Sequence, residues 1–165
     1  MDWEKPGDFS QPLNSPFGED IQTLKSSTVA VDMFLKGYNC AQSVLYAFRE
    51  ETGLSKETSL KISCGLGAGM GRKEEVCGAV TGGILVLGMR GINDGRTAMK
   101  ATYAKTQGLM NLFASKHSSC ICRQLLNGCD LTTEDGQRFF KENDYLNKIC
   151  KNCVQSVVEI LEQIK

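Results

Sequence analysis

The sequence predicts an all-α protein, a compact multi-helix bundle around a glycine-rich, buried central helix. Apolar residues recur every three or four positions over most of the chain after Glu19, and the alternation typical of strands is nearly absent. Residues 77–89 are apolar on all sides, which is typical of a helix in the centre of a bundle. Their glycines weaken a helix, so we expect another backbone or a cofactor to approach this segment closely.

The chain divides into an irregular arm, residues 1–18, and a single helical domain, residues 19–165. The arm holds all three prolines and shows no amphipathic pattern. A length of 165 residues is typical of one domain. Gly37 is suited to end the first predicted helix, and Asn39 and Ser55 are suited to begin the next two. Besides the central helix, helices are predicted over residues 21–35, 39–53, 55–62, 95–116, 119–126, 133–142 and 146–164.

Charge and hydropathy exclude several classes of protein. The 19 basic and 19 acidic side chains balance, so we expect no basic surface for nucleic acid or anionic membranes. No apolar run reaches the roughly 18 residues of a membrane-spanning helix, and the first residues do not resemble a signal peptide. We therefore expect a cytoplasmic protein. In that reducing compartment, clustered cysteines indicate metal or redox chemistry more often than disulfides.

Three of the eight cysteines stand at or near the start of a predicted helix. Cys40 follows a capping asparagine, Cys122 lies in a first turn, and Cys77 opens the stretch Cys77-Gly-Ala-Val-Thr-Gly-Gly. The unpaired backbone N–H groups at a helix start favour a thiolate, and Gly78 and Ala79 leave the Cys77 sulfur uncovered. The alternative, that these cysteines are small apolar core residues, stays open at this point.

The other cysteine pairs form weaker patterns. Cys150 and Cys153 have C-x-x-C spacing on the last helix, so both sulfurs lie on one face, which also continues an apolar stripe. No histidine follows Cys153, which excludes haem attachment. On a helix Cys120 and Cys122 point in different directions, so we expect only one of them to face a site.

Three further features are interpreted as structural. Cys64 opens a glycine-rich run that matches no phosphate-binding pattern and is interpreted as a flexible turn against the central helix. Glu74 and Glu75 are interpreted as exposed acids before a helix start. His117, the only histidine, is a candidate base or metal ligand, although a histidine at this position more often complements a helix C-terminus.

Five of these motifs occur together, in order, in a known family. They are Asn39-Cys40-Ala-Gln-Ser-Val, Gly67-Ala-Gly-Met-Gly-Arg, Cys77-Gly-Ala-Val-Thr-Gly-Gly, Ser119-x-x-Cys122 and Cys150-x-x-x-Val154. From about Ile21 to its C-terminus the chain resembles the redox-active proteins named C_GCAxxG_C_C. The resemblance implies a four-cysteine site made of Cys40, Cys77, Cys122 and Cys150. It leaves four cysteines as additions particular to this chain, Cys64, Cys120, Cys129 and Cys153.

Two redox hypotheses and one structural alternative follow. Related domains occur in split-Soret cytochromes, so the resemblance implies an iron–sulfur cluster, [2Fe–2S] in particular, on the four cysteines, without haem; a tetrahedral zinc site is a variant of this hypothesis. The second hypothesis is thiol–disulfide exchange, with Cys77 as the reactive thiolate and one of the other three as its resolving partner. The structural alternative is a helical oligomerisation module, and the glycine-rich face suggests a homodimer. The sequence does not identify a redox partner protein.

Overall fold

The computed structural model describes residues 25–91 and 95–164, and the predicted arm, residues 1–18, lies outside them. Helices dominate the described ranges, which confirms the all-α prediction; the β-type pairing found there is one isolated bridge, Val76 with Ile121. Within the same ranges, no helix combines the length and the apolar character needed to cross a bilayer. The helices are α1 (Ser26–Leu35), α2 (Cys40–Ala47), α3 (Arg49–Thr52), α4 (Lys56–Ser63), α5 (Gly67–Met70), α6 (Gly78–Arg90), α7 (Gly95–His117), α8 (Cys122–Leu125), α9 (Glu134–Glu142) and α10 (Lys151–Gln163), with a 3₁₀ turn at Cys64–Leu66 and a π-helical turn at Leu146–Cys150.

Three predicted helices differ from the observed ones. The helix predicted over residues 39–53 breaks at Phe48, a core residue whose φ of −104° and ψ of 13° leave the helical region. The helix predicted over residues 119–126 shortens to α8 because Ile121 is extended, with φ −87° and ψ 123°. The last predicted helix begins with the π-helical turn instead of a regular α-helical one. For the first two, contacts with distant residues accompany the change, since Phe48 lies in the core and Ile121 pairs with Val76.

The helix α6 packs against α2, α7 and α10. A Cβ atom on Gly82 would lie 2.8 Å from the Ala41 carbonyl oxygen, and one on Gly83 would lie 2.9 Å from the Leu109 side chain. Glycine at these two positions therefore lets the neighbouring helices approach more closely than any other residue allows. The close contact between α2 and α6 brings Cys40, the first residue of α2, next to the start of α6.

Two clusters of apolar side chains form the core. The larger one lies among α1, α2, α6, α7 and α10 and contains Cys77 and Cys153. The smaller one contains Cys122, Leu126, Cys129, Leu131 and Phe140. Cys150 packs against both clusters. The cysteine-rich region therefore lies at the boundary between the two parts of the core.

Candidate redox site

Five cysteines line one cavity of about 290 Å³ at this boundary. They come from separate stretches of the chain, and the wall between them is completed mainly by small and apolar residues such as Ala68, Gly78 and Leu126. Polar residues also line the cavity, among them Asn39, Lys141, Asp144 and Asn147. The five cysteines are Cys40, Cys77, Cys122, Cys150 and Cys153.

A local hydrogen-bond pattern places Cys40 at the first position of α2. The Asn39 side chain accepts a hydrogen bond from the Gln42 N–H at 2.9 Å, and the Gln42 side chain accepts one from the Asn39 N–H at 3.1 Å. This reciprocal capping box begins the helix at Cys40. A Cβ atom on Gly78 would lie 3.2 Å from the Cys40 Cβ, so the glycine at the start of α6 leaves room for this cysteine.

Backbone pairing holds Cys77 beside Cys122. The Cys77 N–H donates to the Cys120 carbonyl at 2.8 Å, and the Cys122 N–H donates to the Glu75 carbonyl at 2.6 Å. Cys77 is the N-cap residue of α6, and Cys122 is the first residue of α8. The starts of α6 and α8, which are far apart in sequence, thus lie side by side, each with a thiol at its N-terminal end.

The segment before Cys77 has an unusual backbone. Non-glycine residues with φ near +60° cost about 1–2 kcal/mol each, and here four of them occur within seven positions. The segment forms part of the site, because Ala68 lines the cavity and a Cβ atom on Gly69 would lie 2.8 Å from the Cys122 Cβ. Within residues 68–74, the residues with φ between 49° and 70° are Ala68, Gly69, Met70, Gly71, Arg72 and Glu74.

A buried carboxylate anchors this segment. The Glu74 residue is only 2% exposed, its Oε1 accepts a hydrogen bond from the Leu131 N–H, and its Oε2 lies 2.8 Å from the Arg123 Nε. Arg123 also forms an ion pair with Asp130 at 3.3 Å. The prediction of an exposed acid is wrong for Glu74 and holds for Glu75, which is exposed.

Cys77 and Cys153 form the first thiol pair of the cavity. The Cys153 thiol donates a hydrogen bond to the Cys77 sulfur, and this contact lowers the pKa of Cys77 and raises that of Cys153. Burial acts against the Cys77 thiolate, but the N–H groups of Ala79 and Val80 in the first turn of α6 support it, so the net shift of its pKa is downward. Cys77 is therefore the thiol of this pair that ionises first.

Cys40 and Cys150 form the second thiol pair. The Cys150 thiol donates a hydrogen bond to the Cys40 sulfur, and this bond together with burial raises the pKa of Cys150 well above its ordinary value. Burial is also the main reason that the pKa of Cys122 is raised, with further contributions from the neighbouring Cys77 and Cys40 sulfurs. The site thus combines one stabilised thiolate with several neutral thiols.

Three other cysteines and the histidine do not line this cavity. Cys64 is exposed, the Cys120 thiol donates to the Met110 carbonyl at 3.3 Å, and the Cys129 thiol donates to the Gly136 carbonyl at 3.1 Å. His117 hydrogen-bonds to Ser156 at 2.9 Å and stacks on the Phe113 ring.

The structure brings together the four cysteines that the family pattern indicates and adds Cys153, which the sequence analysis treats as an addition particular to the chain. Cys153 is 1% exposed and is the hydrogen-bond partner of Cys77. Its C-x-x-C spacing from Cys150 was the signal in the sequence that could have identified it.

A single-ion site does not fit the side chains as they are arranged. Within residues 25–91 and 95–164, no three Cys, His, Asp or Glu side chains are positioned as ligands of one metal ion. Iron–sulfur clusters are held by cysteine thiolates, and four of the cavity thiols have this donor chemistry.

The fold and the site together define a helical protein with five cysteines around one cavity. The family model described as "Putative redox-active protein (C_GCAxxG_C_C)" matches residues 38–164, and the chain belongs to this family. Neither the curated proteins nor the solved structures contain a significant match to the chain.

Proposed function

We propose that this protein is a thiol–disulfide redox protein in which Cys77 is the attacking thiolate and Cys153 is the resolving thiol. The observation that carries the proposal is that Cys77, at the start of α6, lines the same cavity as Cys153. Cys153 is also the main cause of the lowered pKa of Cys77. A nucleophilic thiolate at a helix N-terminus with a second thiol in contact is the arrangement that thiol–disulfide exchange requires. Cys153 takes the resolving role that the sequence analysis assigns to Cys40, Cys122 or Cys150.

The exchange proceeds through a mixed disulfide. The Cys77 thiolate attacks one sulfur of a substrate disulfide, the substrate S–S bond breaks, and the released thiolate takes up a proton. Cys153 then loses its proton and attacks the Cys77 sulfur, which releases the second substrate sulfur as a thiol. Two electrons pass from the cysteine pair to the substrate, and the protein is left with a Cys77–Cys153 disulfide. Of the two protons that the substrate thiols take up, one comes from Cys153 and the other from solvent, which received the Cys77 proton when that thiol ionised.

The pH dependence of alkylation tests this proposal. Cys77 should react with iodoacetamide with a midpoint below the value of about 8.5 for a free thiol. Replacing Cys153 by alanine removes the main cause of the lowered Cys77 pKa, so the midpoint should rise and alkylation at pH 7 should become slower. The rate is followed by mass spectrometry of the peptide that contains Cys77.

Two variants make the test specific. Cys153→Ser keeps a hydrogen-bond donor and should restore part of the low midpoint, whereas Cys64→Ser changes an exposed thiol away from the cavity and should leave the Cys77 profile unchanged. A wild-type midpoint at or above the free-thiol value, unaffected by Cys153→Ala, would contradict the proposal.

A second candidate function is electron transfer by an iron–sulfur cluster bound by Cys40, Cys77, Cys122 and Cys150. The observation that favours it is that these four thiols, from four separate stretches, face one cavity. Such a cluster supplies one-electron transfer when it is bound. The residues of this chain contribute four thiol ligands, and burial shields the site from water.

Metal analysis of protein purified without oxygen tests this candidate. We expect iron and acid-labile sulfide in equal amounts, with visible absorption, and each of Cys40→Ser and Cys122→Ser should lower both contents. The matched control is Cys129→Ser, since Cys129 is a buried cysteine that does not line the cavity. Colourless protein without iron or sulfide, before and after anaerobic reconstitution, would eliminate the cluster.

A further inference from the structure

We infer that Cys40 and Cys150 are a second disulfide-forming couple, so that the site exchanges four electrons where a single couple exchanges two. The inference rests on the proposed thiol–disulfide function and extends it to two thiols that the proposed exchange leaves unused. The supporting geometry is that Cys40 and Cys150 line the same cavity as Cys77 and Cys153. Cys40 is also the main cause of the raised pKa of Cys150, as Cys77 is for Cys153.

The structural positions of Cys40 and of Cys150 both support this assignment. The capping box fixes Cys40 at the start of α2, and the π-helical turn ends at Cys150, one residue before α10 begins. A π-helical turn in an otherwise α-helical region is frequent at functional sites. Cys150 lies three residues before Cys153. The N-cap and the first turn of α10 therefore supply one thiol to each pair.

The two pairs also share one space. All four sulfur-bearing residues line the same cavity, and the Cys40 Cβ lies close to Gly78, the residue that follows Cys77. A Cβ atom at Gly78 would lie 3.2 Å from the Cys40 Cβ. The absence of a side chain there leaves the start of α2 directly against the start of α6. This proximity lets a disulfide pass from one pair to the other.

The transfer between the pairs balances in atoms and electrons. When Cys77 and Cys153 are joined, the Cys40 thiolate attacks one of their sulfurs, the Cys77–Cys153 bond breaks, and the released thiolate is protonated. Cys150 then loses its proton and attacks the Cys40 sulfur, which frees the other thiol of the first pair. Cys40 and Cys150 end as a disulfide, and the first pair is reduced and reacts with a second substrate disulfide.

A count of thiols tests the inference. Metal-free, fully reduced protein is oxidised in the presence of a chelator with an excess of 2-hydroxyethyl disulfide, and free thiols are counted after denaturation. Of the eight thiols, four should be lost to disulfides within the protein, counted apart from exposed thiols such as Cys64 that carry bound reagent. Peptide mapping should show the two disulfides Cys77–Cys153 and Cys40–Cys150. Cys150→Ser should lose only two thiols and keep Cys77–Cys153.

One variant serves as a control, and three results would contradict either the second couple or the proposed function. Cys120→Ser removes a half-buried thiol that does not line the cavity and should still lose four. Loss of two thiols with Cys77–Cys153 alone would overturn the second couple and leave the proposed function intact. A Cys40–Cys122 disulfide, or reagent bound to Cys40, would also overturn it. If no Cys77–Cys153 disulfide forms, the result would instead contradict the proposed function.

Discussion

Replacing Gly82 by alanine should lower the free energy of unfolding by about 1–3 kcal/mol, the usual cost of overpacking a core. The new Cβ atom would lie 2.8 Å from the Ala41 carbonyl oxygen and 3.0 Å from the Ala41 Cα. Both are backbone atoms, so the clash cannot be relieved by turning a side chain, and α2 must move away from α6. Urea denaturation followed by circular dichroism measures the change.

Gly88 provides the matched control, because it lies in the same helix and an added Cβ atom would meet nothing within 4 Å. Gly88→Ala should stabilise the protein by up to about 1 kcal/mol, since alanine favours a helix more than glycine does. Gly82→Ala should also weaken the site, because moving α2 displaces Cys40. If Gly82→Ala and Gly88→Ala stabilise the protein equally, the close contact between α2 and α6 does not require glycine at position 82.

Replacing Glu74 by alanine should cost about 1–3 kcal/mol of stability, the usual penalty for a buried group left without its hydrogen-bond partner. The Leu131 N–H would lose its acceptor, and Arg123 would lose a buried ion-pair partner. The loop at residues 68–74 would then lose the side chain that holds its left-handed backbone against α8. We expect a lower melting temperature and faster amide exchange at Cys77 and Cys122.

The neighbouring acid makes a direct comparison possible. Glu75 is exposed, and Glu75→Ala should change stability by less than about 0.5 kcal/mol, as is usual for surface substitutions. Glu74→Gln keeps an acceptor for the Leu131 N–H and should cost less than Glu74→Ala. Equal losses for Glu74→Ala and Glu75→Ala would show that the buried carboxylate does not anchor the loop.

Much of the fold could be predicted from the sequence because its signals are local. The capping residues Asn39 and Ser55 begin α2 and α4 as expected, since each side-chain oxygen accepts a hydrogen bond from a nearby backbone N–H. The break at Phe48 could not be predicted, because it depends on how that ring fits into the core. The homodimer and the cytoplasmic location stay predictions.

The candidate site also has a part that could be predicted from the sequence and a part that could not. The family pattern and the helix starts indicate Cys40, Cys77, Cys122 and Cys150, since a thiol at a helix N-terminus is recognisable from the residues around it. The role of Cys153 could not be predicted, because the apolar stripe of the last helix is equally consistent with a core cysteine.

The sequence by itself determined the helical class, the positions of most helices and the cysteines that begin them, because periodicity and capping act over a few residues. Only the tertiary structure decided which thiols share one cavity and shift each other's pKa, namely Cys153 with Cys77 and Cys150 with Cys40. It also decided that Glu74 is buried. These contacts join residues far apart in the chain, and their distances depend on how closely the glycines of α6 let the helices pack.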